Sequence, residues 1–245
     1  MGQPRREHIY GINPAFEVIR AGRRRIYEAF LNHRSKNHPR IRKLQAILES
    51  RKIPIEWVER GRILDLSSSK ENQGVVLKTS PYPYATFDQV VTGNRLVLLD
   101  NVEDPHNVGA ILRCAEVFGF HHVLLTRKGT PDIYPSVVKV SAGASEFLQI
   151  AKDHSATHYA QVALKEGFTL VALDAKGTSV LETLGNAYIP RLLLVIGGED
   201  RSVGQYILNH AHYITSISQY GRINSLNASV AAGVAMHAFR PSGTQ

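Results

Sequence analysis

The residues best suited to chemistry fall in three short segments, Asn101–Arg113, Val195–Asp200 and Gly221–Gly233. In the first, Asn107 and Arg113 stand six positions apart. An amide offers both donor and acceptor, and a guanidinium offers a fork of donors that suits phosphate. In the second, Gly197-Gly198-Glu199 closes the most apolar run of the chain. Two glycines there permit close approach of a ligand to the backbone, beside a carboxylate. In the third, Ser225-Leu226-Asn227 leads into Ala228-Ser-Val-Ala-Ala-Gly233, whose small side chains let the amides of a helix start lie against a ligand or another chain. Taken singly, each has a plainer explanation: a helix cap and a surface charge, a tight turn, a capped core helix. Each follows an apolar, strand-like run, and α/β sheets bind ligands at the C-terminal ends of their strands. Jointly the three junctions suggest one composite site.

Other chemistries lack their motifs. There is no G-x-x-x-x-G-K-[ST] phosphate loop, no G-x-G-x-x-G after the strand ending near Asp100, and no G-x-S-x-G nucleophile elbow. The metal-like spacing His154-x-x-x-His158 has neither cysteine partners nor an H-E-x-x-H context. It reads as two surface histidines, so no metal is expected.

Elements must hold the three segments in place. From Arg95 onward, strand and helix alternate. Strands are expected at Leu96–Leu99, His122–Thr126, Phe147–Ile150, Thr169–Leu173, Leu192–Ile196 and Tyr213–Ile217. Helices are expected through Val108–Phe118 with Gly119 as C-cap, at about 135–145, and at His158–Glu166, Gly204–His210 and Leu226–Phe239. That alternation predicts an α/β domain with a mostly parallel sheet and helices on both faces. The first block reads as a smaller α/β domain. It has a helix at Pro14–Ala21 capped by Asn13, a strand at Ile26–Leu31, an amphipathic helix over 39–51, and strands at Pro54–Val58 and Gly74–Lys78. Pro81 and Pro83 disfavour regular structure between the blocks. The expected division is a basic domain at 1–79, a linker at 80–93 and a second domain at 94–245.

Of the 245 residues, 43% are hydrophobic, enough for a sizeable core and against disorder. Cys114 is the only cysteine, so no intramolecular disulfide can form. No apolar run approaches a membrane span, and Met1–His8 lacks the apolar stretch of a signal peptide. A soluble, cytoplasmic protein is expected. The net charge of +8 is unevenly placed: residues 1–79 hold 17 Lys/Arg and 8 Asp/Glu, whereas 80–245 hold 12 and 13. A basic block beside a neutral one suggests a polyanion grip joined to a working domain. Arg23, Arg24, Arg25, Arg34, Lys36, Arg40 and Arg42 are its candidate contacts.

Together the three segments resemble, in order over about 95–240, the signature motifs of the SpoU (TrmH-type) RNA ribose 2′-O-methyltransferases of the SPOUT class. Tyr10-Gly-Ile-Asn-Pro14, Arg20-Ala-Gly-Arg23 and Gln73-Gly-Val-Val76 are similar to the N-terminal domain of the ribosomal-RNA branch. The resemblance implies a C-terminal SPOUT domain with a deep trefoil knot and a small L30e-like domain that binds RNA. It implies S-adenosylmethionine as cofactor, held by Ile196, Gly197, Gly198, Ile217, Ser225 and Leu226. It assigns catalysis to Asn107, Arg113, Glu199, Ser225 and Asn227, with Arg113 central, and a homodimer through the knotted region. The nearest likeness is to the bacterial and mitochondrial branch that methylates a guanosine ribose in 23S-type rRNA. A tRNA 2′-O-methyltransferase and a non-catalytic RNA-binding or ribosome-assembly factor are the alternatives. The sequence departs from the family at Ile217-Ser218-Gln219, where Ile-Pro-Met is usual, and at Ser202, where a glycine is usual.

Overall fold

The computed structural model describes residues 6–185, 187, 189–198, 202–223 and 225–241. The chain forms two compact units, one made of Met1–Pro83 with Ile133–Phe147 and the other of Tyr84–Asp132 with Leu148–Gln245. Among the described residues no helix is long and apolar enough to cross a membrane.

The first unit runs β1 (Glu7–Tyr10), α1 (Ile12–Ala21), β2 (Ile26–Asn32), α2 (Pro39–Ser50), β3 (Ile55–Val58), α3 (Arg60–Ser67) and β4 (Val75–Thr79). Its sheet has the order β1-β4-β2-β3. β4 pairs antiparallel with both neighbours, and β2 pairs parallel with β3. The apolar stripe expected on α2 is present, with Ile41, Leu44 and Leu48 fully buried. α1 begins two residues before Pro14, and Asn13 does not cap it. Gly11 takes the N-cap position at φ 102°, a conformation open to glycine at little cost. The Gln73 side chain accepts from the Ile12 amide at 3.0 Å and from Lys139 Nζ at 3.0 Å. A side chain arriving from 61 positions away thus supplies what a local cap was expected to do.

The stretch 133–147 completes this unit. Its short 3-10 helix, Ala144–Phe147, delivers Glu146, which is fully buried. Arg24 Nε and Nη2 donate to the Glu146 carboxylate at 2.9–3.0 Å, and Nη1 donates to Glu7 Oε2 at 2.5 Å and to the Ser80 carbonyl at 3.2 Å. The Tyr82 ring lies 5.1 Å from the guanidinium, and its hydroxyl donates to the Ser145 carbonyl at 2.9 Å. Burial disfavours the Arg24 charge, but Glu146 and Glu7 outweigh it and keep the group more firmly protonated than usual. Arg24 is therefore an internal cation and not a surface contact for a polyanion, because its donors are directed to buried acceptors. Arg23 is half-buried and donates to the Pro83 and Glu146 carbonyls at 3.0 and 3.3 Å. Arg25, Arg34, Lys36, Arg40 and Arg42 are exposed, as a polyanion grip requires.

The second unit begins inside the expected linker. α4 (Phe87–Val90) buries Phe87 and Val90 in that unit's core, so 87–90 is packed structure. The chain continues through β5 (Arg95–Asp100), α5 (Pro105–Val117) and β6 (His122–Leu125), then gives α6 (Pro135–Val140) to the first unit. It resumes with β7 (Gln149–Ala151), α7 (Ala156–Lys165), β8 (Thr169–Leu173), β9 (Ser179–Val180) and α8 (Leu181–Leu184). It ends with β10 (Leu192–Gly197), α9 (Gln205–His210), β11 (Tyr213–Ser216) and α10 (Ala228–Ala238). The seven strands lie in the order β7-β6-β5-β10-β8-β11-β9 and every pair is parallel. Leu96–Leu99 and Leu192–Val195 are fully buried, as continuous apolar runs covered on both faces require. A parallel sheet brings all its strand ends to one edge. Strand order reverses between β5 and β10, and crevices form at such switch points.

The buried pair yields a stability test. Glu146→Ala leaves the Arg24 charge without its main partner and is expected to cost about 3–5 kcal/mol. Urea unfolding would measure it, and a shift below about 1 kcal/mol would show that Arg24 escapes to solvent.

Candidate functional site

The C-terminal ends of β8, β10 and β11 border a cleft of about 1070 Å3. Ile196, Gly197 and Gly198 line it from β10, Ile217 from the end of β11, and Ser225 and Leu226 from the approach to α10. The six residues that sequence reasoning assigned to a cofactor therefore meet in one place. Leu173 and Asp174 add the end of β8. Asp174 belongs to none of the three sequence segments, and its signal is an acid placed directly after an apolar strand. The Ser202 hydroxyl donates to Asp174 Oδ2, so the serine that replaces the usual glycine is tied to a cleft-lining carboxylate. Ser218 Oγ lies 3.4 Å from Glu182 Oε2.

Gly197 is fixed by packing. A Cβ there would stand 2.7 Å from the Val203 amide nitrogen and 2.9 Å from the Ser202 carbonyl carbon. The strand end is thus pressed against the following loop. That loop is pinned again by Asp100, whose Oδ2 accepts from the Gly204 amide at 2.9 Å. Burial pushes the Asp100 carboxyl up and the Gly204 hydrogen bond partly opposes it. The cleft combines an apolar wall of Leu173, Ile196, Ile214, Ile217 and Leu226 with the Asp174 carboxylate and a glycine-rich strand end. Such a surface fits a nucleoside with an apolar base face and polar ribose hydroxyls.

At the rim, Asn227 starts α10. Its Oδ1 accepts from the Ser229 amide at 2.9 Å and from Ser229 Oγ at 2.6 Å, and its Nδ2 donates to Asn107 Oδ1 at 2.9 Å. Asn107 is buried in the first turn of α5. It does not cap that helix, because Asp104 does so by accepting from the His106 amide at 2.8 Å, with Pro105 following. Freed of the cap, Asn107 faces Asn227 across 120 positions of sequence. Asn107, Ser225 and Asn227 are thereby brought together. Arg113 is not among the cleft-lining residues and stands exposed on α5. Six residues along a helix is roughly 240° around it and about 9 Å on, so Arg113 leaves from a different face than Asn107. Glu199 lies outside the described residues.

Comparison with known proteins meets this geometry from another side. The family described as "SpoU rRNA Methylase family" matches residues 94–237, and "RNA 2'-O ribose methyltransferase substrate binding" matches residues 8–85. An uncharacterized tRNA/rRNA methyltransferase of Archaeoglobus fulgidus is 33% identical over 210 residues, covering 84% of this chain and 87% of that protein. An uncharacterized tRNA/rRNA methyltransferase of Mycolicibacterium paratuberculosis is 30% identical over 238 residues, covering 94% of this chain and 75% of that one. Among solved structures, an AdoMet-bound rRNA methyltransferase from Sinorhizobium meliloti superposes with a TM-score of 0.79. It is 22% identical, over 96% of this chain and 87% of that chain, a likeness of fold.

The asparagine pair can be dissected. Asn227→Ala removes cap and tie together and is expected to cost about 1–2 kcal/mol. Asn227→Asp keeps the cap but sets a carboxylate oxygen against Asn107 Oδ1. In thermal unfolding, Asn107→Ala should cost less in the Asn227→Asp background than in the native one. Equal losses in both backgrounds would mean that the two side chains do not communicate.

Proposed function

The chain belongs to the SpoU rRNA Methylase family, and from that premise we propose that it methylates the 2′-hydroxyl of a guanosine ribose in large-subunit, 23S-type rRNA. The reaction class is RNA 2′-O-ribose methylation, and S-adenosylmethionine is the methyl donor. The observation that carries the proposal is the single cleft into which Ile196, Gly197, Gly198, Ile217, Ser225 and Leu226 converge, with the Asn107–Asn227 pair at its rim. A first unit with exposed Arg25, Arg34, Lys36, Arg40 and Arg42 supplies the RNA grip. A cytoplasmic location accompanies this reading.

S-adenosylmethionine supplies a methyl group on a positively charged sulfur, so that an oxygen attacking in line forms an O–C bond as the S–C bond breaks. A ribose hydroxyl is a weak nucleophile and loses its proton in the process. Holding it at attack distance removes much of the entropic barrier. Asn107, Ser225, Asn227 and Glu199 orient the ribose. Arg113 grips the neighbouring phosphate and stabilises the developing alkoxide. A guanidinium already holds its proton and has no acceptor site, so the proton passes to water. Arg113 lies off the cleft of its own chain, and a second copy delivers it. Exposed Leu226, Val230, Val234 and Val117 offer the apolar surface for that homodimer.

Two variants and one mapping experiment test this. Arg113→Ala is expected to lower turnover by about 10²–10³-fold or more while calorimetric binding of S-adenosylmethionine stays near normal. Turnover close to the parent's would remove Arg113 from the mechanism. Gly197→Ala, by driving the 202–204 loop off β10, is expected to weaken cofactor binding in the same calorimeter. Mapping ribose methylation in cells with and without the gene should show the loss of one guanosine mark in large-subunit rRNA. A loss confined to tRNA would move the activity to that substrate, and calorimetry without heat would leave only an RNA-binding factor.

A further inference from the structure

A second cleft, of about 670 Å3, lies at the same edge of the parallel sheet, over the ends of β5, β6 and β7. We propose that it is a phosphate subsite that holds a backbone phosphate of the RNA being methylated. The proposal rests on the RNA methylation reading for its ligand's source, but not for its chemistry.

Thr126 directly follows β6, lines this cleft and is 4% exposed. Its Oγ1 is shut off from solvent and finds no hydrogen-bond partner among the described residues. A buried hydroxyl without a partner costs about 1–3 kcal/mol, and such a group is explained where a ligand completes it. Arg127 and Lys128 follow at once, exposed on the cleft wall. Opposite them α7, ten residues long, opens on Ser155, whose hydroxyl accepts from the His158 amide at 3.3 Å. The amides of Ala156 and Thr157, which also line the cleft, have no acceptor within their helix. They present the positive end of its dipole. An orphaned hydroxyl, two cations and a helix start converge on one space, which is the donor set of an oxyanion.

Two carboxylates also line the cleft, and both are committed. Asp100 accepts from the Gly204 amide at 2.9 Å and from Asn101 Nδ2 at 3.0 Å. Asp153 accepts from the Phe87 amide at 3.1 Å and the Tyr159 hydroxyl at 2.8 Å, and its Oδ1 lies 2.9 Å from His154 Nδ1. The wall is also built to shape. Asn101 adopts φ 58°, and a Cβ on Gly129 would fall 2.3 Å from Asn101 Oδ1. The loop after Arg127 and Lys128 is thus folded tightly onto the end of β5. Gln205 borders both this cleft and the methyl-donor cleft. An RNA strand that sets its ribose at one therefore runs a neighbouring phosphate into the other.

The test has two arms on the full-length protein. Inorganic phosphate, titrated into isotope-labelled protein, should shift the amide resonances of Thr126, Arg127, Lys128, Ala156 and Thr157 in a saturable way. Thr126→Val, which keeps the shape and removes the hydroxyl, should abolish or weaken the saturation. An absence of shifts, or shifts no larger than at other exposed lysines, would overturn the subsite. In the second arm, an unmodified large-subunit rRNA fragment is bound and methylated by the Arg127→Ala/Lys128→Ala variant. Its RNA affinity should lose roughly 0.7 of a unit in the slope of log K against log salt for each phosphate contact removed, and KM for RNA should rise about tenfold. Turnover at saturating RNA and affinity for S-adenosylmethionine should stay unchanged. Phosphate shifts with an unaltered RNA slope and KM would make the ligand a free phosphate or nucleotide and overturn the RNA assignment. If the native protein methylates no RNA, the functional reading falls, whereas the phosphate arm still decides the subsite.

Discussion

Asn227 uses both ends of one amide. The oxygen closes the start of α10 and the nitrogen reaches Asn107 in the first turn of α5. That tie adds a polar link at the start of α10 to a packing of α10 on α5 that also brings the rings of His237 and Phe118 to 5.4 Å. The tie works because Asn107 does not cap its own helix and because the cap orients Asn227. Asp104 and Pro105 start α5, which leaves Asn107 available. Ser229 satisfies the cap oxygen twice, which fixes the amide's rotation and so the direction in which its N–H₂ group points.

The sheet determines the rest of the site's layout. Because every strand runs the same way, the polar residues that end β5, β6, β8, β10 and β11 share one edge. β10 enters between β5 and β8, so the edge is divided where Gly204 and Gln205 cross it. On one side lies the cleft lined by Gly197, Gly198 and Leu226 and on the other the cleft lined by Thr126, Arg127 and Lys128. Asp100 serves both: its backbone carbonyl accepts from the Gly198 amide at 3.0 Å and its side chain holds Gly204. One residue in this way fixes the distance between the two clefts.

Much of this was legible in the sequence, for identifiable reasons. β8 fell where its apolar run placed it, Thr169–Leu173, since Phe168 and Leu170 to Ala172 are buried as a two-sided strand requires. The cofactor-facing set came from the family resemblance and met in space. What was missed depended on distant partners. Arg24 looked like its neighbours in a charge run, and the carboxylate that buries it lies 122 positions on. Asn13 looked like a cap until Gln73 arrived from 61 positions away to take the role at Ile12. β1 is four residues with no periodicity to read, and it exists because β4 pairs with it. Local pattern shows what a segment is able to be, and long-range partners decide which possibility is taken.

The Arg24–Glu146 pair also orders events in time. All four strands of the first unit are encoded by residue 79, but its buried anion is not made until residue 146. A chain leaving the ribosome N-terminus first exposes the whole sheet of this unit while Arg24 has Glu7 but not yet Glu146 as a counter-charge. From Pro83 to Phe147 is 64 residues, and at about 5–20 residues per second their synthesis takes roughly 3–13 s. During that interval the basic unit lacks the carboxylate that closes over Arg24. Its closure waits on the translation of β5, α5 and β6. The basic unit is completed when only β5 and β6 of the other unit's seven strands have been synthesised.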